Sequence, residues 1–271
     1  MKHFLKNGIV IALGLAALST SAFAENQIQT LAVTPAESGV TVGIGAYIVP
    51  EYAGARKDRF VLTPSISYHN SNGLYAGTNE GVGYNAKIDN FSLSAGLGYR
   101  AGRTDSNDGW KFRYGSDDLK GMGDISGALT ARFKGAYKFD GGISLSLGTE
   151  QALNHRDTGS TYHFGLNAPL FDSKTDQFSL SLGATYGDRK FNQSNFGVTS
   201  AQSLNSGYKA YNAKAGFEQL GSTVNWTHAL DKNWSVTTRV GVTHVLGDAA
   251  DSPIVKKKTS GVAMTAFNYS F

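Results

Sequence analysis

Few residues in this chain have the types and spacing that chemistry demands. Beyond residue 24 the histidines are His69, His155, His163, His228 and His244. His155 and His163, with Asp157 and Ser160, could form a hydrolytic group in which histidine takes the serine proton and the carboxylate orients the ring. No spacing specifies that arrangement, and His155-Arg156-Asp157 reads as a polar turn. Gly81-Val82-Gly83-Tyr84-Asn85-Ala86 matches a loose GxGxxA. A nucleotide loop must open a helix, and none follows, so the segment reads as a glycine-rich strand. No His, Asp or Glu spacing suggests a metal site. The expectation is therefore a non-enzymatic protein without a cofactor.

Three other groups are candidates for contact rather than catalysis. Lys256, Lys257 and Lys258 form a basic run that suits lipopolysaccharide phosphates, and Arg56, Lys57 and Arg59 could join it. Residues 191–217, FNQSNFGVTSAQSLNSGYKAYNAKAGF, do not alternate for long yet carry apolar side chains suited to burial. Within them Phe196, Gly197, Val198, Thr199, Gln202, Tyr208 and Tyr211 mark a candidate interaction or plug loop, since a connection of this length has a function or folds inward. The chain ends TAFNYSF, where Phe267, Tyr269 and Phe271 alternate with small or polar residues.

Elements that could carry these groups follow from alternation. In 91–100, FSLSAGLGYR, one face is Phe91, Leu93, Ala95, Leu97 and Tyr99, and the other is Ser92, Ser94, Gly96, Gly98 and Arg100. The stretch 178–187, FSLSLGATYG, repeats the pattern. Successive strand side chains point to opposite faces, so each is a strand with one apolar and one small polar side. Ten residues at ~3.3 Å each, tilted by ~45°, span roughly 23 Å, close to the apolar band of an outer-membrane barrel. A soluble sandwich would put more branched residues inside and more charge outside.

Twelve such strands are expected: 40–49, 60–68, 74–78, 81–88, 91–100, 125–139, 143–153, 161–168, 178–187, 217–229, 234–246 and 261–271. Ten remains the alternative count. Pro64 is tolerable only at a bulge or irregular edge. With both ends on one side, the tight turns HNSNG, KIDNF, KFDGGI and LDKNW all fall on the periplasmic rim. The long connections 50–58, 102–123, 188–216 and 247–260 all fall outside, the asymmetry of an up-and-down transmembrane barrel.

Composition agrees. The chain of 271 residues has 33 glycines, 15 Phe, 13 Tyr, 5 Pro and no cysteine. Disulfides and thiolate metal sites are excluded. Mean hydropathy is −0.24, and beyond the first 24 residues no run approaches the ~18 apolar residues of a membrane helix. Residues 1–24 have a basic start at Lys2 and Lys6, an apolar run and an Ala22-Phe23-Ala24 end. They read as a cleaved secretory signal peptide. Its removal takes two lysines from a formal charge of +4, so the basic balance does not point to nucleic acid. Residues 25–39 would be a periplasmic segment and 40–271 the barrel.

The blocks 47–68, 191–217 and 247–255 (GDAADSPIV), with the aromatic final strand, resemble the MipA/OmpV family of outer-membrane proteins. Members often show proline where this chain has Ser200. The resemblance implies a Gram-negative outer-membrane barrel in contact with lipid, lipopolysaccharide and the assembly machinery. The terminal Phe267, Tyr269 and Phe271 would be the signal that machinery reads. It further implies a scaffold joining a lytic transglycosylase to a murein synthase, or a role in envelope stress. The alternatives are a small-solute pore or an adhesin. A murein partner would have to be reached through 25–39 and the periplasmic turns.

Overall fold

The computed structural model describes residues 38–107 and 114–271. The expected signal peptide, and all but the last two residues of the expected periplasmic segment, lie outside the described residues. Twelve antiparallel strands close into one barrel: β1 (Gly39–Pro50), β2 (Asp58–His69), β3 (Leu74–Gly77), β4 (Gly81–Ile88), β5 (Phe91–Arg100), β6 (Ala128–Lys138), β7 (Ser144–Ala152), β8 (Ser160–Asp172), β9 (Asp176–Gly187), β10 (Gly216–Ala229), β11 (Trp234–Val245) and β12 (Thr259–Ser270). Every strand read from alternation is present, the short hairpin β3–β4 included. β1 pairs with β12 from Thr41↔Ser270 to Ile48↔Ala263, and the Phe271 N–H donates to the Val40 carbonyl at 2.9 Å. Closure leaves no terminal edge in lipid, where an unpaired backbone group costs several kcal/mol.

The wall is inside out relative to a soluble core. Ile44, Phe60, Leu93, Phe133, Leu147, Val224 and Phe267 are exposed on the outer face, whereas Thr63, Thr130, Ser146, Ser181 and Thr223 are buried inside. Period-two alternation forces this once lipid is the outer solvent. Aromatic rings collect at the rim of tight turns. Phe91, Tyr137 and Phe139 pack in sequence, mostly tilted or edge-on, as do Phe171, Phe178 and Trp226, and as do Trp234, Tyr269 and Phe271. A second group, Tyr162, Tyr186, Phe217 and Phe164, lies toward the opposite rim. Such belts suit rings with an apolar body at the headgroup level.

Two boundaries differ from expectation by more than two residues. β6 starts at Ala128 rather than residue 125, because Ile125 instead exchanges two backbone bonds with Arg103 in the outer loop. β8 runs on to Asp172, with the register shifting between Pro169 and Phe171, where proline removes a ladder donor.

Candidate functional site at the outer mouth

The four long connections converge on the outer mouth and fold into a cap. Residues 188–215, which showed no period, contain two short helices, α1 (Arg189–Phe196) and α2 (Ser200–Ser206). Asp188 caps α1 by accepting the Phe191 N–H at 2.7 Å. Thr199 and Gln202 form a reciprocal capping box on α2, at 3.2 and 2.8 Å. Between the helices Val198 and Tyr211 exchange two 2.8 Å backbone bonds. Gly197 lies where a Cβ would come within 2.1 Å of the Gln193 amide, so no larger residue fits there. A third helical turn, α3 (Gly247–Ala250), carries the other aperiodic block.

These pieces bury two apolar clusters. One joins Tyr52, Ala55, Leu119, Met122, Val198 and Ile254, with Tyr208 and Tyr211 against it. The other joins Ala53, Phe196, Ala213, Val245, Ala249 and Ala250. Phenolic and amide groups lock one loop to another. Tyr52 donates to the Ile254 carbonyl at 2.8 Å, Tyr208 to Asp118 at 2.6 Å and Tyr211 to Asp248 at 2.7 Å. Gln202 donates to Met122 at 2.7 Å. Burial pushes the Tyr52 phenol up, and its bond to Ile254 keeps the hydroxyl proton in use. Arg56 forms a fork with Asp118, both distances 2.9 Å, and holds that carboxyl below the usual range.

The candidate plug residues thus come together, with Phe196 and Val198 nearly inaccessible and Gln202, Tyr208 and Tyr211 bonding neighbouring loops. The three lysines are all exposed and have different partners. The Lys256 ammonium sits 4.2 Å from the Tyr208 ring centre and 2.9 Å from the Pro253 carbonyl. Lys258 lies 3.4 Å from Asp251, and Lys257 is exposed.

Beneath the cap lies a charged layer that was not singled out from sequence. Arg132 reaches Glu150 at 3.0 Å, Arg100 stands 3.6 Å from it, and Thr130 donates to it at 2.9 Å. His163 is buried between Thr161 and Thr185, and Ser160 instead donates to Gln151 at 2.7 Å, so serine and histidine do not pair. His155 starts the short helical turn 156–158 on the surface. In β10 the pairing skips from Gln219 to Phe217, so Glu218 is the extra residue of a bulge and turns into the interior. Arg103, from the 101–127 loop, donates to the Asn195 carbonyl at 3.0 Å, and burial brings its guanidinium down to about 10. Between Arg100, Arg103, His163 and Glu218 lies a cavity of about 40 Å³, room for roughly three waters. Among the described residues no three His, Asp or Glu side chains converge as metal ligands. The missed charges did carry a signal: Arg100, Arg132 and Glu150 interrupt an inward row of Ser, Thr and Gly.

Residues 42–271, nearly the whole described chain, match the family model of MltA-interacting protein MipA. The chain belongs to the MipA family. No curated protein gives a significant match. Among solved structures, the chain is similar to the KdgM porin, at 12% identity and a TM-score of 0.44, over 85% of this chain and 99% of the porin. It is also similar to an outer-membrane channel from Pseudomonas putida F1, at 12% identity and a TM-score of 0.40, over 87% and 96%. Closed barrel, lipid-suited outer face and family together make this MipA-family protein an outer-membrane barrel.

Proposed function

We propose that this MipA-family barrel is a non-enzymatic scaffold that holds murein-synthesising and murein-cleaving enzymes at the outer membrane. The observation that carries the reading is the cap. Its two apolar clusters pack side chains across the outer mouth, and the Arg100–Glu150–Arg132 layer places paired charges below them. A barrel filled by its own side chains is a rigid platform rather than a conduit. The family description, an MltA-interacting protein, points the same way.

Such partners lie in the periplasm. The tight turns there offer little surface, so residues 25–39 would be the handle. Deleting 25–37 should abolish co-purification with the lytic transglycosylase while leaving the barrel inserted. Retained binding would count against the handle. In planar bilayers the intact protein should give no steady channels, and regular ion-selective steps would favour a pore instead.

A further inference from the structure

The cavity under the cap is lined by two charged side chains that have no counterpart. Arg103 is 8% exposed, and its backbone is held by two bonds to Ile125. Its guanidinium donates to the Asn195 carbonyl, and the Tyr52 ring lies 5.9 Å away. Its Nε–H has no partner. Burial lowers the proton affinity of this group, and among the described residues no carboxylate acts to raise it again. On the same cavity Glu218 is 1% exposed, and its Oε2 is likewise unpartnered.

The neighbouring charges have partners. Arg100 stands 3.6 Å from one oxygen of Glu150 and donates to the Thr158 and Gly159 carbonyls. Arg132 meets the other Glu150 oxygen at 3.0 Å. Asp188, the cap of α1, adds a second negative charge beside Arg100. Glu51 accepts from the Ser116 hydroxyl and attracts Arg59. Two arginines thus face two carboxyls, and Arg59 faces Glu51. Arg103 and Glu218 are left over.

The two are not equivalent. A carboxyl without a cation can keep its proton and become neutral. A guanidinium cannot shed its own inside a protein. Glu218 can therefore satisfy itself, and Arg103 cannot. The Asn195 carbonyl and the Tyr52 ring ease the charge without cancelling it. Water in the cavity would hydrogen-bond to Arg103 but would not neutralise it, and a buried charge is costly until it is paired.

We propose that this cavity binds a small monovalent anion of halide size, with Arg103 as its counter-charge. The space, about 40 Å³ or roughly three waters, suits chloride with one or two waters and is too small for sulfate or phosphate. The Arg103 Nε–H donates to the ion. The Gln219 amide, 3% exposed on the same cavity, is the second donor. Because Arg103 also ties its loop to α1, the ion clamps the underside of the cap. The site is independent of any murein partner.

The test uses the full-length protein in detergent micelles. Trypsin nicking within 188–215 is compared in potassium chloride and potassium gluconate at equal ionic strength. At ten times its dissociation constant, chloride should slow nicking about tenfold and saturably, since the ion binds only the closed cap. Sulfate should not replace it. Glu218→Gln should keep the chloride response, and Arg103→Gln should lose it. In wild-type crystals grown in sodium bromide, one anomalous peak should lie against the Arg103 guanidinium, a result that stands even if Arg103→Gln does not fold. A chloride response found only in Glu218→Gln would make ionised Glu218 the counter-charge of Arg103 and overturn the site. Equal protection by sulfate, no chloride response in wild type, or a cavity holding water and no bromide would overturn it as well.

Discussion

The wall and the cap solve opposite burial problems with the same residue types. In the wall, Leu182, Val224 and Phe267 turn outward and remain exposed to lipid. In the cap, Phe196, Leu119 and Ile254 turn inward and are almost wholly enclosed by other loops. The wall draws its cohesion from a closed backbone ladder that any alternating sequence can make. The cap has little ladder and depends on particular side chains meeting across the fold. Substitutions should therefore separate the two: apolar truncation injures the cap, and a charge injures the wall.

The largest effect is expected from Phe196→Ala. A buried Phe cut to Ala typically costs about 3–5 kcal/mol, from lost transfer energy and the cavity left behind. The cap should loosen while the barrel stays closed. Protease nicking within 188–215 should rise, with the heat-dependent gel shift of the barrel unchanged. If both changed together, cap and wall would be one cooperative unit and the contrast would fail.

Leu182→Arg tests the converse. Leu182 sits mid-strand in β9 and faces lipid. An arginine near the bilayer midplane costs about 2–4 kcal/mol. The midpoint for urea-driven release from vesicles should drop, whereas the cap nicking pattern of folded protein should match wild type. Next in size is Tyr52→Phe, which leaves the buried Ile254 carbonyl without its donor at about 1–3 kcal/mol. Its effect should be confined to the cap, and nicking within 246–258 would report it.

The same contrast decides what the sequence made legible. Wall strands announce themselves locally, because lipid and lumen impose period two. All twelve could be read, and turn length gave their direction. Pro64 reads as a bulge or edge residue, and which of the two depends on where β3 and β4 stop. The cap is different. Tyr208 meets Asp118 and Gln202 meets Met122 across 80–90 residues of chain, and no local period encodes such pairs. Phe196, Val198 and Tyr211 could be named as buriable, but their partners Leu119, Ala213 and Ile254 could not. Glu218 was hidden for a related reason: a bulge shifts one residue out of register, and strict alternation reads past it.

The weakest link between the loops should also respond to pH. Arg56 and Asp118 join the first loop to the second through two charge-assisted bonds. The hydrogen bond and charge of Arg56 lower the folded-state affinity of Asp118 for a proton. A carboxyl depressed in this way stabilises the fold above its unfolded value of about 3.9, and the contribution is lost as pH falls through the lower folded value. Arg56 is largely solvated, so the effect is the smallest of the series and should shrink with salt. In wild type, nicking of 101–107 and 114–127 should increase on acidification below about pH 4. Asp118→Asn should start from a slightly higher level and lose part of that acid dependence. Identical acid profiles in the two proteins would show that the clasp does not hold the first loop to the second. The cap would then depend on its apolar clusters and the Tyr52, Gln202, Tyr208 and Tyr211 bonds, all of them particular side chains meeting across the fold, which makes its contrast with the wall sharper still.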